Sequence, residues 1–235
     1  MFFQKKRFVS HSGTLNSPAE DEGSAFHWVN FEPTNFSPTT PDELNIAIPE
    51  TLLRSPTHRL AEYAAGRLCA KNALKELGYN GVPGFGSKRE PLWPSSFWGS
   101  ITHTGNIALA MASKKGSVGI DIETIVTPTL IQDVIGSILT ESERARFGDN
   151  LSCELFTLIF SFKESFYKAA YPYVNRFIDF KAVDLIEVDW NNGKLMYRLN
   201  EHLCGGLEQG KVGMASFNTP FPNKVLTYVL LSPSH

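Results

Sequence analysis

Val118-Gly119-Ile120-Asp121-Ile122-Glu123 alternates apolar and acidic residues. On a β-strand this period places Ile120 and Ile122 on one face and Asp121 and Glu123 on the other. Two carboxylates side by side repel unless something positive lies between them. A hard divalent cation such as Mg²⁺, shared with phosphate oxygens, meets that need. The same alternation also describes an ordinary solvated strand face. The residues around the strand decide between the two.

Upstream, Gly99 to Ala112 reads as two strands about the turn Thr104-Gly105-Asn106, and Lys114 to Ser117 as a further turn into the acidic strand. Three strands in succession are expected to form a meander. His103 ends the first of them among Ser100, Thr102 and Thr104; it is either structural or one of a group of donors to an anion. Before it, Gly84 to Pro94 encloses Lys88-Arg89 between two glycines and two prolines. That spacing matches neither a phosphate-binding P-loop nor a dinucleotide fingerprint. Trp93 and Trp98 read as packing residues. Ser55-Pro56 signals a helix start, with Ser as N-cap and Pro first in the helix, running to about Leu77 before Gly78. Arg59, Tyr63 and Arg67 share one broad face of it. Its many alanines make it thin. The basic face is either solvated or a surface that meets phosphates, for which the guanidinium fork is suited. Residues 1–50 are poorly periodic: Ala25 to Phe31 reads as a strand and Glu32 to Pro49 as loop.

Downstream, Pro128 to Leu139 and Thr140 to Phe147 read as short helices. Thr140-Glu141-Ser142-Glu143 is a capping box, which accounts for the acidity of Glu141 and Glu143 without a ligand. A longer helix opens at Asn150 and is expected to end before Pro172. Leu155, Ile159, Phe162 and Phe166 form its apolar stripe, with Thr157, Ser161, Glu164 and Lys168 on the other side. Glu164 and Lys168 are either a surface ion pair or part of an enclosed charge cluster, since Phe160, Phe162, Phe166 and Tyr167 surround them and Lys163 is adjacent. Strands are expected over Ile178–Trp190, Lys194–Leu199, Lys211–Phe217 and Lys224–Leu231, the first two joined by the turn Asn191-Asn192-Gly193.

Composition narrows the function classes. The 235 residues carry 22 basic and 24 acidic side chains, which argues against a strongly basic nucleic-acid-binding domain. Hydrophobic content of 42% with 20% charged residues is that of a globular chain with a sizeable core, one large domain or two small ones. Cys69, Cys153 and Cys204 are widely spaced, which fits reduced, cytosolic thiols better than a zinc site or disulfide framework. The basic N-terminus lacks an apolar run after it, so no signal peptide is expected, and no stretch has the ~20 apolar residues of a membrane span.

Three carboxylates on two elements, a lysine one turn from the third and basic groups on a helix and a loop suit phosphoryl-type transfer. A Mg²⁺-dependent phosphodiesterase or nuclease, and a non-catalytic coenzyme A- or nucleotide-binding module, are the rival classes. The ordered set Arg59-Leu-Ala-Glu-Tyr-Ala-Ala-Gly-Arg67, Lys88-Arg-Glu-Pro-Leu-Trp-Pro94, Gly99-Ser-Ile-Thr-His103, Val118 to Glu123 and Phe160-Ser-Phe-Lys-Glu-Ser-Phe-Tyr-Lys168 resembles the 4′-phosphopantetheinyl transferases, in the enterobactin synthetase component D branch.

The resemblance implies transfer of the phosphopantetheine arm of coenzyme A to a serine of an apo acyl, peptidyl or aryl carrier protein, with release of adenosine 3′,5′-bisphosphate. It implies Mg²⁺ on Asp121, Glu123 and Glu164, with Glu164 and Lys168 as the catalytic pair. Arg59, Arg67, Lys88, Arg89, Thr102, His103, Lys163 and Lys168 are the implied coenzyme A-binding residues. The implied fold is α/β, of the α+β kind: a pseudo-twofold arrangement of two similar halves, 1–117 and 118–235. Each half would be a small antiparallel sheet packed on helices, with the active site at their junction. A cytoplasmic monomer serving siderophore or other nonribosomal peptide synthesis is the accompanying expectation. Ile122, where some relatives carry a polar residue, offers no side-chain ligand.

Overall fold

The computed structural model describes residues 7–15 and 23–232; the first six residues, on which the signal-peptide expectation rests, lie outside them. The chain divides into two compact units, one ending at Lys115 and the other beginning at Gly116. Both are mixed α/β, with antiparallel sheets packed on helices.

The first unit runs β1 (Val9–Leu15), β2 (Ser24–Phe31), α1 (Thr40–Leu44), α2 (Thr57–Glu76), β3 (Gly84–Phe85), β4 (Pro91–Leu92), β5 (Trp98–Thr104) and β6 (Ile107–Ser113). Its main sheet has the order β1-β2-β6-β5. Every residue of β6 is buried, as suits a central strand. β1 has no signal in the sequence, because its side chains are largely exposed and polar; pairing with β2 forms it. Helix α1 falls within the stretch expected to be loop, started by Pro41 near its N-terminus.

Helix α2 covers β6, β2 and β5. Ala61, Ala64, Ala65, Cys69, Ala70 and Ala73 are fully buried beneath it. Small side chains bring the helix close to the sheet, and Gly66 leaves the room that Ile101 occupies: a Cβ there would lie 2.7 Å from the isoleucine Cγ2. The start of α2 corrects the expected cap. Pro56 is the N-cap, and its carbonyl accepts from Arg59 N at 2.9 Å and Leu60 N at 3.2 Å, while Ser55 makes no cap. Gly78 ends the helix with φ +86, where a side chain would be strained.

The second unit runs β7 (Ser117–Thr124), α3 (Pro128–Ile138), α4 (Glu141–Phe147), α5 (Cys153–Val174), β8 (Val183–Asp189), β9 (Lys194–Leu199), β10 (Val212–Asn218) and β11 (Lys224–Leu231). Its sheet has the order β7-β11-β10-β9-β8. The expected three-strand meander is therefore corrected. After β6 the chain leaves its sheet, and β7 pairs with β11, more than a hundred residues later, in the register Gly119 with Val229, Asp121 with Thr227 and Glu123 with Val225. Local turn signals read correctly, but the sheet partner is a non-local choice that side-chain burial makes.

Helix α5 lies across β7 and β11. Ser152 caps it, its hydroxyl accepting from Leu155 N at 3.1 Å, and it continues through Pro172 to a left-handed Asn175. Both ends correct the expected ones. Proline removes one ladder bond, but it lies in the last turn, where few helical bonds remain to lose. Leu155, Ile159, Phe162 and Phe166 are buried in the core as expected. Thr157 and Ser161, expected on the open side, are also fully buried. Their hydroxyls are used: Thr157 accepts from Val126 N at 3.1 Å, and Ser161 donates to Asp121 O at 3.1 Å and meets Thr227 Oγ1 at 2.9 Å. Ser165 donates to Thr227 O at 3.1 Å.

Gly119 allows this contact. A Cβ at that position would fall on the carbonyl oxygen of Ser165 and lie 2.6 Å from Ala169 N, both helix backbone that has no rotamer to relieve it. Gly119→Ala is therefore expected to cost about 3 kcal/mol, read as a lowered urea midpoint with an unchanged slope; a loss below about 0.5 kcal/mol would show that the helix can lift from the strand freely.

Candidate active site

The acidic strand and α5 bring together four of the residues the sequence singled out. Asp121 lies on the β7 face turned to α5 and is nearly buried. Lys168 Nζ donates to its Oδ1 at 2.7 Å and to Ile120 O at 3.1 Å. The expected Glu164–Lys168 helix pair is thus not the principal contact of Lys168. The lysine reaches back across to the strand because Asp121 is the more enclosed charge and needs a partner more.

Glu123 and Glu164 are half-buried beside this pair. Burial, then the charge of Asp121 outweighing Lys168, pushes the Glu123 carboxyl up to about 7. Burial also raises Glu164, opposed by Lys168 and reinforced by Asp121. These shifts describe one physical situation: three carboxylates that sense one another, with Lys168 among them and Lys224 acting more weakly on Glu123. Among the described residues no three His, Cys, Asp or Glu side chains are gathered into a ready metal cage. The donor set nonetheless fits Mg²⁺, which binds through one or two carboxylates with waters and phosphate oxygens rather than in an all-protein shell.

Lys163 is placed elsewhere, which corrects its expected role as a coenzyme A ligand. Its side chain is fully buried, and Nζ donates to Glu143 Oε2 at 2.7 Å, Ile138 O at 2.9 Å and Phe180 O at 2.9 Å. All three ammonium protons are used. One residue is 100° of helix rotation, and that turns Lys163 inward while Glu164 stays at the open face. Glu143 also closes the capping box with Thr140 N at 2.9 Å and accepts from Leu185 N at 2.8 Å. Asp184 adjoins the network, accepting from Thr140 Oγ1 at 2.6 Å, Asn200 Nδ2 at 2.8 Å and Ser142 Oγ. Burial alone would raise its carboxyl; the hydrogen bonds from Ser142, Thr140 and Asn200 overcome that and hold it below the usual range.

The basic residues lie in the first unit. Arg59 and His103 meet, Nη1 to Nε2, at 3.0 Å. Glu62, which the motif reading passed over, accepts from the same Nη1 at 3.0 Å. Its place three residues after Arg59 was the available signal. Arg67 is nearly buried, with its guanidinium 5.1 Å from the Tyr63 ring centroid, and its Nε and Nη1 have no hydrogen-bond partner among the described residues. A buried cation lacking acceptors is a strong call for an anion. Phe85 packs edge-on against Tyr63 at 5.9 Å and so docks the β3–β4 loop on α2. That loop holds Lys88 and Arg89 exposed, with Arg89 at φ +70 and Glu90 Oε2 accepting from Lys88 N at 2.9 Å. Thr102 alternates away from His103 along β5 and is buried on the opposite face, so the strand does not bring it to this group.

The stretches that carry these basic and acidic residues match models of known protein families. A family model described as the 4′-phosphopantetheinyl transferase N-terminal domain matches residues 49–113, and one described as the 4′-phosphopantetheinyl transferase superfamily matches residues 117–214. The chain belongs to this 4′-phosphopantetheinyl transferase superfamily. Enterobactin synthase component D of Escherichia coli (strain K12) is 36% identical, over 76% of this chain and 85% of that protein, which supports that branch. Enterobactin synthase component D of Salmonella typhi is 39% identical over 66% of each chain. The 4′-phosphopantetheinyl transferase Svp of Streptomyces mobaraensis is 33% identical over 70% of each. Among the described residues no helix is long and apolar enough to cross a membrane.

Two outcomes follow from the buried network. Lys163→Met strands Glu143 as an uncompensated buried charge and is expected to cost about 4 kcal/mol in denaturant unfolding, whereas Lys163→Met with Glu143→Gln, which removes the charge and keeps an acceptor oxygen for the backbone donors, recovers part of it. Asp184 has a depressed folded-state pKa, so its contribution is present above the ordinary aspartate value and is lost as pH falls through the folded one. Asp184→Asn should therefore flatten the acid limb of the stability–pH curve below about pH 4, with little change in slope near neutrality.

Proposed function

We propose that the protein transfers the 4′-phosphopantetheine arm of coenzyme A to a serine hydroxyl of an apo carrier protein and releases adenosine 3′,5′-bisphosphate. The observation that carries this reading is the clustering of Asp121, Glu123 and Glu164 around the Lys168 ammonium, with Lys168 Nζ 2.7 Å from Asp121. Hydrolysis and transfer both use such a set; family membership favours transfer. The relatives named for enterobactin synthase favour a carrier protein of siderophore or other nonribosomal peptide synthesis.

In the proposed reaction the serine oxygen forms a bond to the β-phosphorus of coenzyme A as the bond to the leaving bisphosphate breaks. The serine proton passes to the Glu164 carboxylate, directly or through one water; burial raises its pKa above the ordinary carboxylate value, which makes it a stronger base than an exposed carboxylate. Lys168 holds positive charge where negative charge grows on the pyrophosphate oxygens. Asp121, Glu123 and Glu164 are the residues that would hold Mg²⁺, which when bound supplies charge neutralisation and polarisation of those oxygens. Arg67, with unpartnered buried donors, is the leading candidate for the 3′-phosphate. His103, with Arg59 hydrogen-bonded to it, shares that phosphate with Arg67, while Lys88 and Arg89 hold the rest of the nucleotide end. A monomer in the cytoplasm is the working form of this proposal.

Incubation with an apo carrier domain, coenzyme A and Mg²⁺, followed by mass spectrometry of the carrier, tests it. The carrier should gain the mass of the phosphopantetheine arm, and EDTA or Asp121→Ala should abolish the gain. Glu164→Gln should slow transfer about a hundredfold or more while coenzyme A binding, read by calorimetry, changes much less. Release of the bisphosphate without carrier modification would point to a phosphodiesterase instead. Binding without either product would leave a coenzyme A-binding module.

A further inference from the structure

Arg59 Nη1 bridges two acceptors. One of its protons goes to Glu62 Oε2 at 3.0 Å and the other to His103 Nε2 at 3.0 Å. Glu62 Oε2 and His103 Nε2 are themselves 3.7 Å apart, which closes a triangle on the α2 and β5 surface. Arginine only donates, so Nε2 is the accepting nitrogen here and the proton of a neutral ring sits on Nδ1. With both protons of Nη1 engaged, the guanidinium is fixed about its own plane. The edge carrying Nη2 and Nε is the one left to meet an anion. Arg59 is half-exposed on a long side chain; without the carboxylate it would sample several rotamers.

We infer that Glu62 is a positioning residue. It holds the guanidinium of Arg59 and the imidazole of His103 in the geometry that receives the anionic nucleotide end of coenzyme A, and so contributes to preference for a substrate bearing the 3′-phosphate. The inference rests on the proposed roles of Arg59 and His103. Its sign is distinctive. A carboxylate this close to a phosphate-binding group repels the phosphate, so a Glu62 without an orienting role would weaken binding, and removing it would tighten the complex. An orienting Glu62 gives the opposite result.

The test is steady-state kinetics with coenzyme A and with 3′-dephospho-coenzyme A, on the full chain and on Glu62→Ala, Glu62→Gln and Arg59→Ala. Glu62→Ala is expected to raise KM for coenzyme A about tenfold with kcat changed less than about twofold, and to leave KM for the dephospho compound nearly as it was. Glu62→Gln keeps an acceptor oxygen for Nη1 and should recover most of the loss, which a purely charge-based effect would not allow. A KM for coenzyme A that falls or stays level in Glu62→Ala, or KM values that rise equally for both compounds, would overturn the inference. If Arg59→Ala leaves coenzyme A binding intact, the role of Arg59 fails and that of Glu62 with it. If Arg59→Ala weakens binding and Glu62→Ala does not, only the role of Glu62 fails.

Discussion

The second unit depends on the close seating of α5 against β7. Gly119 removes the one side chain that would hold the helix off, and Ser161 and Ser165 then reach Asp121 O, Thr227 O and Thr227 Oγ1. These buried hydroxyls have directional partners, so they set the register of helix on strand in a way that apolar packing alone does not. Register is what matters chemically. It places Lys168 within 2.7 Å of Asp121 and keeps Glu164 beside Glu123. A helix displaced by one residue would turn both charges through 100° and dissolve the cluster.

The far side of the same helix is anchored by the opposite strategy. Lys163 binds Glu143 in a dry setting and also ties in the carbonyls of Ile138 and Phe180. An ion pair this enclosed adds little net stability compared with apolar residues of the same shape. Its geometry, however, joins α3, α4 and the turn at Phe180 that leads into β8 to the residue next to Glu164. In the first unit the corresponding economy lies in size rather than charge: a row of alanines brings α2 down onto β5 and β6, which lets a short Glu62 and a His103 on different elements share one arginine nitrogen.

Much of this was legible in the chain. Alternation marked β7, the turn residues marked β5–β6 and β8–β9, and the capping box at Thr140 formed as read, since each is a local matter of a few residues. Helix ends were misplaced by a few residues, and the larger errors were non-local. The meander broke because β7 found β11; β1 exists only through β2; Ser161 and Thr157 look polar in sequence yet are buried because partners wait for them. Lys163 was the most instructive. Adjacent to Glu164 and Lys168 in a charged run, it read as one of them, and only the packing of three other segments around it reveals a core residue.

By itself, then, the sequence determined the family, the α/β class and the identity of the acidic and basic residues, because these follow from residue type, spacing and order. Tertiary structure alone decided which of those residues meet. Lys168 answers Asp121 instead of Glu164, Lys163 answers Glu143, and Glu62 joins Arg59 to His103. The physical reason is that a charged side chain pairs with the partner whose burial makes it most costly to leave alone, and burial is a property of the whole packed unit.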